Sequence, residues 1–337
     1  MPDDPTRFPA REAPGSLILY DDPRFDAHDP GYGHPESPAR LVAIRRALAP
    51  HGWPTRPGRP ATREELERIH LPSYVDRVLA ARGRHVWFDA DTSASPGSVD
   101  AALVAAGASV DAAATAMAGT NGLVLCRPPG HHATRDQAMG FCIFNNAAIA
   151  TAALVAEGRK VVVFDPDVHH GNGTQEAFWA SPDVLYVSLH RWPFYPGTGA
   201  ASEVGEGPGY GFTLNVPLPV GADDGYYLTA LERLILPAVD RFRPDVCVAS
   251  VGFDVMEGDL IGGMACSNLA MAWMLHAFVE RVPTMAVLEG GYNTMRLGED
   301  VRVSALALAG ERPPEIQTPT PPSWTMKVRN WRHPLLA

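Results

Sequence analysis

The chain has 337 residues, of which 46% are hydrophobic and 20% charged, and its formal net charge is −10. This composition is typical of a globular protein with a sizeable core. The negative charge argues against nucleic acid as a partner, because phosphates bind basic surfaces, and it is compatible with a cationic substrate such as a lysine side chain or a polyamine.

The segments that could direct the chain to a membrane or to export do not match the expected patterns. Residues 1–15 (MPDDPTRFPAREAPG) are polar and proline-rich, without the apolar core of a signal peptide. The alanine-rich stretch 101–118 is interrupted by Asp111, and we expect it to be too weakly apolar to span a bilayer. The four cysteines form no CxxC pair, which predicts free thiols. We therefore expect a cytoplasmic protein without membrane contact.

Short apolar runs predict buried strands, and most of the stretches between them predict helices. The predicted strands are 17–20, 123–126, 161–164, 184–188, 246–251 and 285–288. The predicted helices are 100–117, 145–157, 226–242 and 268–279. Because strands alternate with helices, the predicted fold class is α/β, a doubly wound, mostly parallel sheet with helices on both faces.

The chain contains no internal repeat and no linker long enough to divide it. We therefore predict a single domain over residues 1–337, with a core at about 17–310 and a proline-rich C-terminal extension at about 311–337. The stretch 311–322 (ERPPEIQTPTPP) is expected to run extended over the surface.

Polar side chains follow most of the predicted strands, at the point where each strand ends. These are His131 and His132 after 123–126, Asp165, Asp167 and His169 after 161–164, His190 after 184–188, Asp254 after 246–251, and Tyr292 after 285–288. In open α/β sheets the functional site lies beyond the carboxyl ends of the strands. We therefore expect these residues to meet along one edge of the sheet.

The stretch VVVFDPDVHHGNGT (161–174) contains a candidate metal site. In an extended chain Asp165, Asp167 and His169 point to the same side, and carboxylates with a neutral imidazole suit zinc. Alone, such a short motif is more often a hydrogen-bonded loop. Asp254 at the end of another strand favours the metal, because an Asp-His-Asp set leaves one coordination position open for water.

Two further groups at this edge suit a hydrolytic site. The adjacent imidazoles of His131 and His132 have the chemistry of a general base and a general acid. The hydroxyl of Tyr292 can donate to a developing oxyanion. In isolation, a histidine pair is more often a surface loop and a tyrosine is more often a packed core residue.

Taken together, the motifs resemble the zinc-dependent histone deacetylase family, which includes bacterial deacetylase-like amidohydrolases and acetylpolyamine deacetylases. The stretches that carry the resemblance are GHPESPARL, RIHLPSYVDRV, RPPGHHA, GFCIFNNAAIA, FDPDVHHGNGT, YVSLH, YPGTG, GFDVMEGD and LEGGYN. They follow the family's order from about residue 17 to about residue 310. The asparagine of HHGN and the form of GFDVMEGD resemble the class II branch.

The resemblance implies the arginase/deacetylase fold and one catalytic zinc ion. The zinc ligands would be Asp167, His169 and Asp254. His132 would act as general base and then as acid, with His131 beside it. Asp165 would orient His131, and Asn172 would orient His132. The family often has aspartate in place of Asn172, and a neutral partner raises the basicity of His132 less than a carboxylate does. Tyr292 would polarise the scissile carbonyl together with the zinc.

The resemblance also implies structural potassium at one or two sites, and a substrate tunnel. The first potassium site would use Asp165, Asp167, His169, Ser188 and Leu189, and the second the carbonyls of Phe178, Ser181, Val184 and Phe212. Gly140, Phe141 and Tyr195 would line the tunnel, where Tyr195 replaces the phenylalanine common in the family. Arg40 matches a buried arginine at the inner end of a channel for acetate release.

The reaction implied by the resemblance is hydrolysis of an acyl-lysine side chain, with acylated polyamines as the alternative substrates. One acetylpolyamine branch selects a second ammonium with an acidic residue seven positions after the third ligand, where this chain has Ile261. This apolar residue favours acyl-lysine in peptides or proteins. Asp89, Asp91 or Glu257 are the candidates for a replacement charge, and Asp91 or Ser93 for contacts to a peptide backbone.

Two other functions fit the sequence less well. An arginase-like ureohydrolase needs a second metal and further carboxylates at DxHxD and DxD spacings, where this chain has Asn172 and Val255-Met256. A non-catalytic zinc-fold module is disfavoured because every catalytic position of the pattern is filled. An oligomer is compatible with the sequence.

Overall fold

The computed structural model describes residues 16–336 of the chain. In this range eight strands form one sheet with the order β2-β1-β5-β10-β9-β6-β7-β8, and every pairing in it is parallel. Two further strands, β3 and β4, form a small antiparallel pair. The strands are β1 (Ile18–Tyr20), β2 (Thr55–Arg56), β3 (Val86–Trp87), β4 (Ser93–Ala94), β5 (Gly122–Val124), β6 (Val161–Asp165), β7 (Val184–Arg191), β8 (Thr213–Leu218), β9 (Val246–Val251) and β10 (Thr284–Leu288).

Helices surround the sheet, so the predicted fold class is confirmed. The helices of the described range are α1 (Ala39–Leu48), α2 (Arg63–Glu67), α3 (Pro72–Leu79), α4 (Ser98–Met117), α5 (Asn146–Ala156), α6 (Asn172–Phe178), α7 (Asp224–Ala230), α8 (Leu236–Phe242), α9 (Asn268–Val279), α10 (Thr294–Leu308) and α11 (Pro322–Arg329). Helix α4 packs on α5, while α10 packs between α1 and α9.

The order of the strands determines where the site can form. From β6 the chain runs outward through β7 and β8, and then returns to place β9 and β10 on the other side of β6. The sheet therefore has its switch point between β6 and β9, where the loops after the two strands diverge and leave a crevice. The register pairs Val161 with Val246 and Phe164 with Ala249, so both strands end at the same level.

The central strands are buried along their whole length because both faces of the sheet are covered. All residues of β6 (VVVFD) and β9 (VCVASV) are buried, without the alternation of a half-exposed strand. The bounds of β9 and α9 agree with the prediction, and the Asn145 side chain caps α5 by accepting from Ala148 N–H. The four cysteines are free and buried, as expected.

Several elements of the structure were not predicted, and two of the differences have identifiable reasons. The helix expected over 226–242 is divided into α7, a π-helical segment Leu231–Ile235, and α8, and the change occurs next to Pro237, which has no N–H to donate. Strand β8 (TLNVPL) was not predicted, and its proline is tolerated because β8 is an edge strand.

Helix α4 is longer and more apolar than we expected for 101–118. Of the helices between residues 16 and 336, it alone is long and apolar enough to cross a membrane, and 72% of that span is buried inside the protein. Its packing on α5 and β5 is that of a core helix. The polar segment 1–15 lies outside the described residues.

The C-terminal segment crosses the surface before it forms a last helix. Residues 311–321 have no helix or strand, as predicted, but α11 begins at Pro322 and buries Trp324 against Tyr226. Trp273 on α9 donates to the carbonyl of Pro314 and so holds the segment in place. The division of 1–337 into one core and one extension stays a prediction.

Candidate metal centre and active-site cavity

Asp167, His169 and Asp254 meet at the switch point of the sheet. The first two follow β6 and the third follows β9. His169 Nδ1 lies 3.1 Å from Asp167 Oδ1 and 3.2 Å from Asp254 Oδ2. A tetrahedral ion with bonds of about 2.0–2.1 Å separates its ligand atoms by about 3.3 Å, so these distances suit one ion.

The surroundings of the three side chains test whether a cation fits. All three residues are buried, and Asp254 Oδ2 accepts no hydrogen bond from any residue between 16 and 336. Burial, and then the charge of Asp167, raise the pKa of Asp254 to about 7. Two buried carboxylates with an unpartnered oxygen are unfavourable in an apolar interior unless a cation neutralises them. The donor set therefore fits a divalent ion such as zinc.

Backbone N–H groups hold the two carboxylates in place. Val168 N–H donates to Asp254 Oδ1 at 3.0 Å, and Gly290 N–H donates to Asp167 Oδ2 at 3.0 Å. A Cβ atom at Gly252 would lie 1.8 Å from Asp167 Oδ2, and one at Gly290 would lie 2.2 Å from Asp254 Oδ2. Glycine is needed at both positions because the backbone touches the carboxylates.

His131 is the charged member of the histidine pair. Its Nδ1 lies 3.1 Å from Asp165 Oδ2, which also accepts from the Tyr186 hydroxyl. Burial lowers the pKa of His131, but the charges of Asp165 and Asp167 outweigh burial and hold that pKa well above its usual value. This shift favours the imidazolium form of His131, whose ring centroid lies 4.0 Å from that of the second histidine.

His132 is the neutral member of the pair. Burial, and then the positive charge of His131, lower the pKa of His132 well below its usual value. His132 Nδ1 lies 2.8 Å from Asn172 Oδ1, so a neutral ring donates from Nδ1. This tautomer leaves the lone pair on Nε2, where it can accept a proton.

A narrow cavity of about 200 Å³ gives access to these groups. Its lining includes these residues predicted from the sequence: His131, His132, Gly140, Phe141, His169, Tyr195, Ile261 and Tyr292. The rings of His132 and Tyr195 meet edge to face with centroids 5.2 Å apart, and those of Phe141 and Tyr292 at 6.0 Å. The φ angle of Gly140 is +55°, and a Cβ there would lie 2.4 Å from the His132 ring.

Tyr292 is held on its inner side by Arg40. The guanidinium of Arg40, which is fully buried, lies 5.2 Å from the centre of the Tyr292 ring. It also donates to the carbonyls of Gly291 and Glu289. Burial raises the pKa of Tyr292 well above its usual value, so the hydroxyl keeps its proton and can donate.

Several residues of the site were not predicted from the sequence. Phe194 stacks on the His169 ring with a centroid distance of 5.1 Å. Glu289 accepts from Gly130 N–H at 2.7 Å and His131 N–H at 3.2 Å, and so holds the histidine loop. Glu36 forms buried ion pairs with Arg40 and Arg127. Phe194 adjoins Tyr195 in the sequence, and Glu36 lies four residues before Arg40. The contacts of Glu289 with the histidine loop and of Glu36 with Arg127 join distant segments and leave no local signal.

The candidates for a charge at the cavity mouth have different positions. Asp91 lines the cavity. Asp89 Oδ1 instead accepts from the N–H groups of Asp91 and Thr92, and the Ser93 hydroxyl donates to the Pro30 carbonyl. Glu257 is exposed, outside the residues that line the cavity. Of these candidates, Asp91 is the one that faces the cavity.

The residues implied for potassium lie around β7. Asp165 pairs with Ser188 across β6 and β7, and Leu189 follows on the same strand. The second set lies near the start of β7: Ser181 N–H donates to the carbonyl of Phe178 at the end of α6, and the Phe212 carbonyl accepts from Tyr186 N–H. Val184 is the first residue of β7. Potassium binding at either set stays a prediction.

Comparisons with known proteins connect this geometry to one family. The profile of the histone deacetylase domain matches residues 34–308. Histone deacetylase 15 of Arabidopsis thaliana is 40% identical over 306 residues, which cover 86% of this chain and 55% of that protein. The histone deacetylase-like amidohydrolase of Pseudomonas aeruginosa is 40% identical over 279 residues, which cover 77% of this chain and 73% of that protein.

The crystal structure of the HDA15 HD domain superposes with a TM-score of 0.84 at 38% identity, over 87% of this chain and 91% of that one. The chain spans about half the length of several curated relatives that it matches, such as 55% of histone deacetylase 15 and 47% of histone deacetylase HDA1 of Saccharomyces cerevisiae.

Zinc should stabilise the protein through Asp254. At a free zinc concentration of about 100 times Kd, binding to the native state adds about 2.7 kcal/mol to the free energy of unfolding, which thermal melts measure as a higher Tm. The Asp254→Asn variant should lose this rise. Asp300→Asn, which changes a buried carboxyl of α10 outside the triad, should keep it. Equal rises in the Asp254→Asn variant and the unchanged chain would contradict the metal site.

Proposed function

The chain belongs to the histone deacetylase family, whose members are hydrolases acting on amide bonds, and on this premise we propose that it removes acetyl or other acyl groups from lysine side chains. The observation that carries the proposal is the convergence of a metal-binding triad, a neutral histidine and a protonated tyrosine on one narrow cavity. The bond to be broken is the amide between the acyl carbonyl and the side-chain nitrogen.

The family depends on zinc, and Asp167, His169 and Asp254 would hold one zinc ion. When bound, zinc supplies Lewis acidity to a water molecule and to the amide carbonyl. The two carboxylates and the neutral imidazole are the ligands that zinc takes in hydrolytic sites. One or two potassium ions, bound by the residues around β7, belong to the same proposal as structural ions.

His132 would transfer the proton in both halves of the reaction. Its Nε2 lone pair takes a proton from the attacking water, and the resulting imidazolium then gives that proton to the leaving nitrogen. The charge of His131, at a ring distance of 4.0 Å, disfavours a second cation and so promotes the release of the proton. Asn172 keeps the ring in the tautomer that has Nε2 free.

Tyr292 would stabilise the negative charge that develops on the carbonyl oxygen. Its hydroxyl keeps its proton because burial raises the pKa. A donor that is already oriented costs no reorganisation when the charge appears. The rings of Phe141 and Tyr195 would contact the aliphatic stem of the lysine and exclude water from it.

The cavity mouth favours an acyl-lysine peptide or protein over an acylated polyamine. Ile261 lines the cavity and offers no charge to a second ammonium. Asp91 lines the same cavity, which keeps acetylpolyamines as the alternative substrates. Within the described residues the structure has one cluster of three metal-ligating side chains, so a two-metal ureohydrolase is disfavoured. A cytoplasmic location without nucleic-acid or membrane partners stays a prediction from the sequence.

Steady-state kinetics on two substrate classes tests this proposal. We expect a higher kcat/KM for acetyl-lysine peptides than for acetylspermidine or acetylputrescine, because Ile261 offers no charge for the second ammonium. A preference for the acetylpolyamines would move the assignment to the alternative. Zinc-loaded protein that cleaves no acyl-amine would support the non-catalytic module.

Replacing Tyr292 by phenylalanine removes the oxyanion donor while it keeps the ring. The kcat should fall by about 10²–10³, the range for loss of one such donor, without a change in zinc content. Tyr210→Phe makes the same change at an exposed residue and should leave kcat unchanged. Turnover by Tyr292→Phe at nearly the rate of the unchanged chain would remove the residue from the mechanism.

The residue at position 261 should control the choice between the two substrate classes. Ile261→Glu places a carboxylate in the cavity lining, where it can pair with a second ammonium. We expect the ratio of kcat/KM for acetylspermidine to that for an acetyl-lysine peptide to rise about tenfold, which corresponds to about 1.4 kcal/mol. Glutamine has nearly the same shape as glutamate but no charge, so Ile261→Gln should raise this ratio much less. An equal rise in both variants would show that charge is not the cause.

A further inference from the structure

The carboxylate of Asp259 joins two loops of the site. Its Oδ2 accepts from the N–H groups of Tyr292 at 2.7 Å and Asn293 at 3.2 Å. Its Oδ1 accepts from those of Ile261 at 2.9 Å and Gly262 at 3.2 Å. One side chain therefore satisfies backbone donors from two segments that are distant in the sequence.

Each of these loops carries a residue with a different task. The loop after β9 contains the predicted ligand Asp254 and, further on, Ile261 of the cavity wall. A Cβ at Gly262 would lie 1.7 Å from the Asp254 carbonyl, so this loop folds back on its own start. The loop after β10 carries Tyr292, whose ring lines the same cavity. The position of one loop relative to the other sets the distance between the tyrosine and the metal ligands.

The turn before Tyr292 has little stiffness of its own. It contains Gly290 and Gly291, and Gly291 has a φ angle of +114°. Glycine restricts the backbone less than any other residue, so such a turn needs external contacts to hold one conformation. Arg40 provides one set of contacts, because it donates hydrogen bonds to the carbonyl oxygens of Glu289 and Gly291. Asp259 provides the other set, because it accepts hydrogen bonds from the N–H groups of Tyr292 and Asn293.

A carboxylate suits this position better than any neutral side chain. Each carboxylate oxygen can accept two hydrogen bonds, and here each of the two oxygens faces two N–H groups. Hydrogen bonds to an ionised acceptor are about twice as strong as neutral ones. Asparagine has nearly the same shape, but its NH₂ group would face two N–H donors and could accept from neither.

We propose that Asp259 is a positioning residue that sets Tyr292 for oxyanion stabilisation by clamping the Tyr292 turn to the loop of Asp254 and Ile261. The kinetic consequence rests on the proposed function, whereas the clamp itself is a property of the fold. Asp259 is outside the cavity lining and outside the metal-binding triad, so it would act through Tyr292. A misplacement of about 1 Å at a reacting centre can cost about 10²-fold in rate.

A double-mutant cycle on the full chain tests the coupling. Asp259→Asn should lower kcat for an acetyl-lysine peptide by roughly 10- to 100-fold. If Asp259 acts through Tyr292, adding Tyr292→Phe to Asp259→Asn should cost only a few-fold more, instead of about 10²–10³ as in the unchanged chain. If the loss of kcat in the double variant equals the product of the losses in the two single variants, Asp259 acts independently of Tyr292 and the proposal is wrong. A kcat of Asp259→Asn within twofold of that of the unchanged chain would also overturn the proposal.

The control separates the clamp from general loosening of the protein. Asp223 accepts a backbone hydrogen bond from Gly225 at the start of α7, outside the cavity. Asp223→Asn should therefore leave kcat unchanged, and its effect should multiply with that of Tyr292→Phe. Zinc content and Tm measured on every variant show whether Asp259→Asn has lost its metal or its fold.

Hydrogen exchange tests the clamp without any activity. In the unchanged chain, the amides of Ile261 and Tyr292 should exchange slowly, although both lie outside helices and strands. Exchange of either amide at the rate of an unstructured peptide would overturn the proposal, even if Asp259→Asn cannot be purified. In a folded Asp259→Asn variant, both loops should exchange faster together while α9 stays protected. A chain inactive on every acyl-amine would reject the proposed function and leave the clamp to be decided by these exchange rates.

Discussion

The site depends on two carboxylates and one imidazole that converge in the protein interior, where water cannot solvate the carboxylate charges. Asp167 and Asp254 are fully buried, backbone N–H groups orient them, and Asp254 retains an oxygen without a hydrogen bond. The same negative charge reaches the neighbouring histidines. Asp165 and Asp167 keep His131 charged, and the charge of His131 adds to the effect of burial in keeping His132 neutral. The difference between two adjacent histidines therefore follows from where the carboxylates lie, since the two side chains are chemically the same.

The sheet makes this convergence possible because its strand order reverses between β6 and β9. The loops after these strands leave the sheet in different directions and form the crevice that Asp167 and Asp254 line. Loops alone would not hold the groups within tenths of an ångström. Buried charged side chains hold them instead: Glu289 accepts from the histidine loop and Arg40 donates to the glycine turn. Each of these side chains makes two hydrogen bonds to backbone groups, and these bonds restrict the backbone at positions where the sequence has glycine.

The accuracy of the predictions followed the kind of signal each element offered. Strand β9 and helix α9 are long apolar runs with clear ends, and their bounds agree with the structure. Strand β8 contains a proline and lies at the edge of the sheet, where apolar character is weaker, and it was missed. The break between α7 and α8 was missed because periodicity continues through it, while the missing N–H of Pro237 alters the hydrogen bonding. Likewise, the length and apolar composition of α4 are those of a membrane-spanning helix, and only its burial identifies it as a core helix.

By itself, the sequence determined the fold class, the family and the residues that end each central strand, because these follow from local apolar runs and from motifs of adjacent residues. Only the tertiary structure decided which groups touch: that Asp254 meets His169, that Phe194 stacks on it, and that Asp91, in preference to Asp89 or Glu257, faces the cavity. It also decided that the pKa values of His131 and His132 shift in opposite directions. The physical reason is that contact and burial are properties of segments brought together from distant parts of the chain, and both electrostatics and hydrogen bonding depend on distances that no local pattern contains.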